Sequence, residues 1–190
     1  MSRPDLERWE ARYADSSRPD WPPDLWVTAR AAELPAGRAL DVACGRGRHT
    51  LWLAAQGHTV LGVDGSVTAL RGARAEAQRR GLGSRVLFVQ ADLDWPCLAP
   101  ATFDLIVVVR FLARGLVPTL EALLRPGGTL LYATYTHKRL ASHPDFNPTF
   151  LLAPGELPTL FPRLTILEAE EPDEWAYLRA QRRATSSARF

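Results

Sequence analysis

Gly37 to Asp64 reads GRALDVACGRGRHTLWLAAQGHTVLGVD, and the order of its parts sets the architecture. One apolar run, RALDVA (38–43), breaks at Cys44-Gly45-Arg46-Gly47-Arg48. A helical pattern then runs over 49–57, and a second apolar run, TVLGVD (59–64), closes on an acid. Short apolar runs alternating with helical ones read as buried parallel strands joined by helices. Glycines at the first break allow left-handed backbone angles and close approach of another molecule to the main chain. The helix start behind them offers unpaired amide donors.

The same alternation continues outward. The sequence predicts a helix over 66–81 capped by Ser66, a strand over 85–92 and a strand over 103–111. A helix over 116–128 and a strand over 129–135 follow. Further on, PGELPTLFP reads as helical, and LTILEAEEP and WAYLRAQRR read as two strands turning at Pro172-Asp173-Glu174, an antiparallel hairpin at one sheet edge. Ahead of the glycine turn, Leu6, Trp9 and Tyr13 share one face of a helix over 5–14. A proline-rich linker leads to a second helix with Asp24 as its cap. ATSSARF reads as a loose end.

The chain has 190 residues, 46% of them apolar and 23% charged, the size and composition of one globular domain. A net charge of +2 is weak for a protein that grips many phosphates, so nucleic acid is an unlikely partner. Two cysteines, Cys44 and Cys97, are too few for a disulfide framework and favour a reducing cytoplasm. The polar start MSRPDLERWEARYA is no signal peptide, and no segment approaches the roughly 18 apolar residues that span a membrane. Histidines 49, 58, 137 and 143 have no zinc-type pairing, so no metal is expected. The sequence carries no signal of oligomeric state.

Two ligand classes use such a turn. Dinucleotides favour G-x-G-x-x-G, and here the third position is Thr50. Asp41, inside the first strand, gives an anionic pyrophosphate nothing, whereas a cationic sulfonium ligand with an amino group suits it. Asp41 can equally serve as a structural acid bonded to loop amides.

With LDVACGRGR followed by GVD, nineteen residues after Gly45, the chain resembles class I S-adenosylmethionine-dependent methyltransferases, among them the small TehB-like proteins. The resemblance implies a Rossmann-like α/β fold: a mostly parallel seven-stranded sheet, helices on both faces and a C-terminal antiparallel hairpin. It divides a single domain into a helical cover (1–37), a cofactor-binding half (38–135) and a substrate-side remainder (136–190). S-adenosylmethionine is the implied cofactor. Ala43, Gly45 and Gly47 would pass under its methionine part, and Asp41 would reach its amino group directly or through water. Arg48 would touch its carboxylate. Asp64, with Gly65 beside it, would hold the ribose hydroxyls, Asp92 and Leu93 would meet the adenine, and Ser66 or Val67 could flank it. Asp94 competes with Asp92 for that place.

The acceptor is the less legible half. Arg110, at the end of the fourth strand, could attract an anionic acceptor or touch the cofactor, and His137 could act as base. Trp9, Trp21 and Trp26 read as packing residues. The N-P-P-Y pattern of amino-methylating relatives is missing from VVRFL, while Asn147-Pro148-Thr149-Phe150 lies after strand five. Pro96-Cys97 follows strand three rather than four, so Cys97 is read as a loop or core residue. A small-molecule acceptor is the leading expectation. RNA or protein methylation through the basic stretch RGARAEAQRRG (71–81), a non-catalytic cofactor sensor and a nicotinamide-dependent oxidoreductase are the alternatives.

Overall fold

The computed structural model describes residues 3–15, 21–93 and 98–184. Most of the linker (16–20), Asp94, Cys97 and the tail from 185 lie outside them. Seven strands form one sheet: β1 (Arg38–Val42), β2 (Thr59–Asp64), β3 (Val86–Gln90), β4 (Phe103–Val109), β5 (Leu124–Tyr135), β6 (Leu164–Glu170) and β7 (Trp175–Arg182). Their order is β3-β2-β1-β4-β5-β7-β6, and only β7 runs against the rest. This is the Rossmann-like arrangement, with the hairpin at its edge. The chain leaves β1 towards β3 and returns to β4, so a crevice opens beside the carboxyl end of β1, where such sheets bind ligands.

Strand periodicity splits the core into two layers. Leu40, Val42, Ile106, Val108, Leu130 and Tyr132 point to one face and pack against Leu120, Leu123 and Phe161. Ala39, Leu105, Val107, Val109, Leu131 and Ala133 point to the other, against Val27, Ala31, Leu53 and Ala54. Those partners come from α2 (Leu25–Ala32) and α3 (Arg48–Ala55) on one side, and from α5 (Val117–Leu123) and the turn after α6 (Glu156–Thr159) on the other. Both faces are covered, which explains the near-continuous apolar strands. A third cluster packs Leu70, Ala73 and Ala77 of α4 (Val67–Arg79) onto Phe88 and Cys44.

Several boundaries differ from the sequence expectation. The helix expected over 116–128 stops at Leu123, and β5 begins at Leu124, which pairs with Phe103. Pro126 has no amide to continue a helix and Gly127 is left-handed at φ +80°. The first, third and fourth strands also end early: Ala43 and Arg110 adopt left-handed φ of 55° and 60°, and β3 ends at Gln90, two residues before Asp92. The caps fall as expected. Asp24 accepts from the Val27 N–H at 3.2 Å and Ser66 from the Ala69 N–H at 3.1 Å. Among the described residues no helix is long and apolar enough to cross a membrane.

Candidate functional site

The turn after β1 is built on strain that glycine relieves. Gly45 (φ 55°) and Gly47 (φ 76°) are both left-handed, and the Gly47 N–H closes the turn on the Cys44 carbonyl at 2.9 Å. A Cβ on Gly47 would stand 3.1 Å from Ala73 and 3.2 Å from the Phe88 ring, so this glycine lets α4 and β3 pack close. A Cβ on Gly45 would stand 2.6 Å from the Tyr13 hydroxyl. Tyr13 belongs to α1 (Arg3–Ala14), which lies across the turn and packs on α4. Arg46 holds the end of α1 through the carbonyls of Tyr13 (2.8 Å) and Asp15 (3.3 Å), where a cation also suits the helix dipole.

Asp41 turns inward. Its Oδ2 accepts from the Thr50 N–H (2.9 Å) and the Thr50 hydroxyl (2.6 Å), tying β1 to the first turn of α3. Of the two roles open to Asp41 in the sequence, the structure displays the bond to a main-chain amide. Thr50, which replaces the third glycine of a dinucleotide motif, is the donor. Burial pushes the Asp41 carboxyl up to about 6, against the pull of Thr50 and of the Arg48 charge. Cys44 is buried, and burial raises its thiol well above the usual range, so it is no ready nucleophile.

Asp64 joins the tip of β2 to the same turn. Its Oδ2 accepts from the Gly45 N–H and its Oδ1 from the Ser66 N–H, both at 2.8 Å. With 6% of its surface exposed, its carboxyl is raised by burial and partly restrained by those amides. Gly65 is buried beside it. Glu10 of α1 accepts from the Val67 N–H at 2.7 Å. Partial burial works against its charge, but hydrogen bonds from Thr68, Ser66 and Val67 keep its carboxyl below the usual range. Nothing in the spacing of the sequence points to Glu10, because its partner is 57 residues away. Asp92 is exposed and the Leu93 side chain is buried in the core.

A second cluster gathers beyond β1. Arg110 follows β4, and its N–H donates to Ala133 at 2.8 Å. Its guanidinium lies over two indoles, Trp21 at 4.8 Å and Trp175 at 5.4 Å. Trp175 opens β7 directly opposite Tyr135, the last residue of β5, with ring centroids 4.3 Å apart. Arg48 donates to the Pro22 carbonyl at 3.2 Å, so neighbouring residues 21 and 22 touch the two arginines in turn. His49 is buried and accepts the Asp24 N–H at 3.0 Å. Burial, with the charges of Arg48 and Arg110, holds it neutral by lowering its pKa to about 3. Trp26 stacks on Tyr177 and Trp9 on Tyr13, as packing residues do. Trp21 does not: it is 58% exposed and covers Arg110.

His137 stands apart. It is exposed on the turn after β5, its N–H bonded to the Leu152 carbonyl, and no hydrogen bond, ion pair or ring contact among the described residues joins it to Arg110. Asn147 spends its side chain capping a short turn through the Thr149 N–H at 3.0 Å. Among the described residues no group of three or more His, Cys, Asp or Glu is placed to hold a metal ion. The structure thus brings Ala43, Gly45, Gly47, Asp64, Gly65 and Ser66 together at the tips of β1 and β2. Arg48 follows this turn as the first residue of α3, and Arg110 follows β4, which flanks β1 on the side away from β2.

Residues 39–128 match a protein family described as a methyltransferase domain. The ubiquinone biosynthesis O-methyltransferase of Thiobacillus denitrificans is 32% identical over 114 residues, covering 57% of this chain and 48% of that protein. The ribosomal RNA small subunit methyltransferase C of Alcanivorax borkumensis is 32% identical over 100 residues, covering 50% of this chain and 31% of that protein. The chain therefore spans less than half the length of these relatives. A solved structure described as "Conversion of a Disulfide Bond into a Thioacetal Group during Echinomycin Biosynthesis" superposes with a TM-score of 0.77 and 28% identity. It covers 96% of this chain and 94% of its own.

Proposed function

We propose, for a chain that belongs to the class I S-adenosylmethionine-dependent methyltransferases, that it methylates a small-molecule acceptor. The observation that carries this is Asp64: a carboxylate at the tip of β2 tied to the Gly45 amide, so that an acid and a glycine turn share one rim beneath the Tyr13 hydroxyl. That donor set suits a nucleoside with two ribose hydroxyls and a cationic sulfur. A carboxylate can take both hydroxyls, and a Cβ at Gly45 would crowd the Tyr13 hydroxyl over the turn. When bound, S-adenosylmethionine supplies a methyl group on positively charged sulfur. Asp64 holds the ribose, Gly45 and Ala43 leave room under the methionine part, and Asp92 with the Leu93 amide meets the adenine. Asp41 acts one step back, fixing the turn through Thr50.

The remaining task of the protein is alignment. Holding donor and acceptor in line and excluding water supplies on the order of 7–11 kcal/mol of a two-reactant barrier. The cluster of Arg110, Trp21, Trp175 and Tyr135 lies on the side where an acceptor belongs, while α1 roofs the other side. The ubiquinone-pathway relative favours a small acceptor. Methylation of RNA, suggested by the ribosomal relative, finds less support. Within the basic stretch, Arg79 and Arg80 both pair with Glu76 and Arg74 donates to the Phe88 carbonyl, so three of its four arginines are engaged within the fold.

Calorimetry with S-adenosylmethionine, its demethylated product and NAD tests the reading first. Binding of both sulfur compounds and not NAD is expected, and the reverse overturns it. Labelled donor offered to small phenols, thiols and acids beside ribosomal RNA and protein then separates the acceptor classes. Label on RNA alone overturns the small-molecule reading, and label on nothing leaves a sensor.

A further inference from the structure

We infer that Arg48 and Arg110 form a paired seat for an anionic group, a carboxylate or similar oxyanion, carried by the methyl acceptor. The inference rests on the methyltransferase reading and specifies its acceptor.

Arg110 first. It is one of three arginines whose Nε is buried without a hydrogen-bond partner, the others being Arg139 and Arg179. Those two are neutralised: Arg139 pairs with Glu174, and Arg179 with Glu33 and Glu168. Among the described residues no ion pair and no side-chain hydrogen bond reaches Arg110, which has only the faces of Trp21 and Trp175. Its backbone is left-handed at φ 60°, a conformation costing a non-glycine residue on the order of 1–2 kcal/mol. Such strain is retained at functional positions more often than elsewhere.

Arg48 gives only one hydrogen bond among the described residues, to the neutral carbonyl of Pro22. The charges of Asp41 and Asp24 favour the Arg48 cation, but these carboxylates accept from Thr50 and from the Val27 N–H and form no ion pair with it among the described residues. Arg48 is easier to deprotonate than usual, through burial first and then through the charge of Arg110. Two cations are thus held close together, partly buried and without a partner carboxylate. A single oxyanion between them would supply charge-assisted hydrogen bonds to both and remove their repulsion.

Topology says whose oxyanion it is. The acids and glycines suited to a nucleoside lie on β1 and β2, with Arg48 just behind them at the head of α3. Arg110, Tyr135 and Trp175 lie instead at the tips of β4, β5 and β7, so an anion seated on Arg110 reaches Arg48 from the side away from β2. The anion serves as a handle and not as the reacting atom, because a charge shared by two guanidiniums is a poor nucleophile.

The test begins with wild-type protein, Arg110→Gly and Arg110→Lys, each titrated with S-adenosylmethionine and with its demethylated product. Glycine suits φ 60°, so Arg110→Gly removes the guanidinium without adding backbone strain, and a thermal melt checks that it folds. Protein saturated with the demethylated product is then titrated with hydroxy- and mercapto-substituted carboxylic acids and with the primary amide of each. In wild type at least one acid is expected to bind about tenfold or more tightly than its amide, the scale of hydrogen bonds to a charged group. Arg110→Gly and Arg48→Gln erase that preference, Arg110→Lys restores part of it, and Arg110→Gly leaves affinity for the sulfur compounds within about twofold.

If no acid is preferred over its amide, the seat does not exist. If Arg110→Gly weakens the demethylated product as much as it weakens the acid, the pair holds the methionine carboxylate, and the assignment to the acceptor is overturned. A wild type that binds neither sulfur compound strikes the methyltransferase reading itself, and the seat with it. Indifference to acids in a protein that binds both strikes the seat alone.

Discussion

Asp64 accepts the Gly45 amide at 2.8 Å, so the acid ending β2 and the glycine opening the turn after β1 form one rigid unit. Each is placed by the other. The carboxylate faces the rim because Gly45 and Ser66 hold one lobe of each oxygen, leaving further lone pairs for a ligand.

Asp64→Ala is therefore expected to fail twice. Two buried amides lose their acceptor, at about 1–3 kcal/mol each, and urea unfolding should register the loss. Calorimetry should show S-adenosylmethionine affinity falling by about tenfold or more. Unchanged affinity in a folded variant removes Asp64 from the site.

Gly62 lies inside β2, where a Cβ would come 2.9 Å from the Phe88 ring and 3.0 Å from the Cys44 sulfur. Neither neighbour sits at the end of a long flexible chain. Gly62→Ala is expected to destabilise the fold by about 1–3 kcal/mol, the usual cost of overpacking, measured by denaturant midpoint at constant slope.

Asp41 sets a slope of stability with pH. Its carboxyl titrates near 6 in the folded protein, against about 3.8 ordinarily. The folded state therefore holds a proton that the unfolded chain has released, and stability falls as pH rises from about 4 to about 6. Asp41→Asn keeps an acceptor for Thr50 and loses the charge. The stability of the variant relative to wild type should rise over that window, by on the order of 2–3 kcal/mol, in unfolding curves taken at each pH.

His49 contributes the opposite slope. Its folded value is lowered to about 3 from 6.5, so the unfolded chain takes up a proton first and stability is lost as pH falls below about 6.5. His49→Gln should flatten this arm. Between pH 6.5 and 5 wild type is expected to lose about 2 kcal/mol more than the variant, read from the same unfolding curves.

Much of this was legible in the sequence because it depends on local pattern. LIVVV and TLLYA are apolar on both faces, as strands covered on both sides must be, and the glycines and Asp64 fall where strand tips require them. What escaped depends on partners far along the chain. Glu10 meets Val67 only once α1 folds back, and Trp175 meets Arg110 only through the antiparallel register of β7 on β5. The Asp41–Thr50 bond was one of two open roles, and spacing alone does not choose between them. The end of α5 differs from the expectation because LEALLR suits a helix as well as a strand, and the Phe103–Leu124 pairing decides it.

Tyr13 above Gly45 and Glu10 on the Val67 amide lay α1 over the turn after β1, with Arg46 holding its end. On the proposed reading, a nucleoside docking against Asp64 and Gly45 is expected to displace this roof first. Stopped-flow traces should then level off at high ligand concentration, at a ceiling set by how fast the first helix lifts, and loosening Arg46 should raise that ceiling.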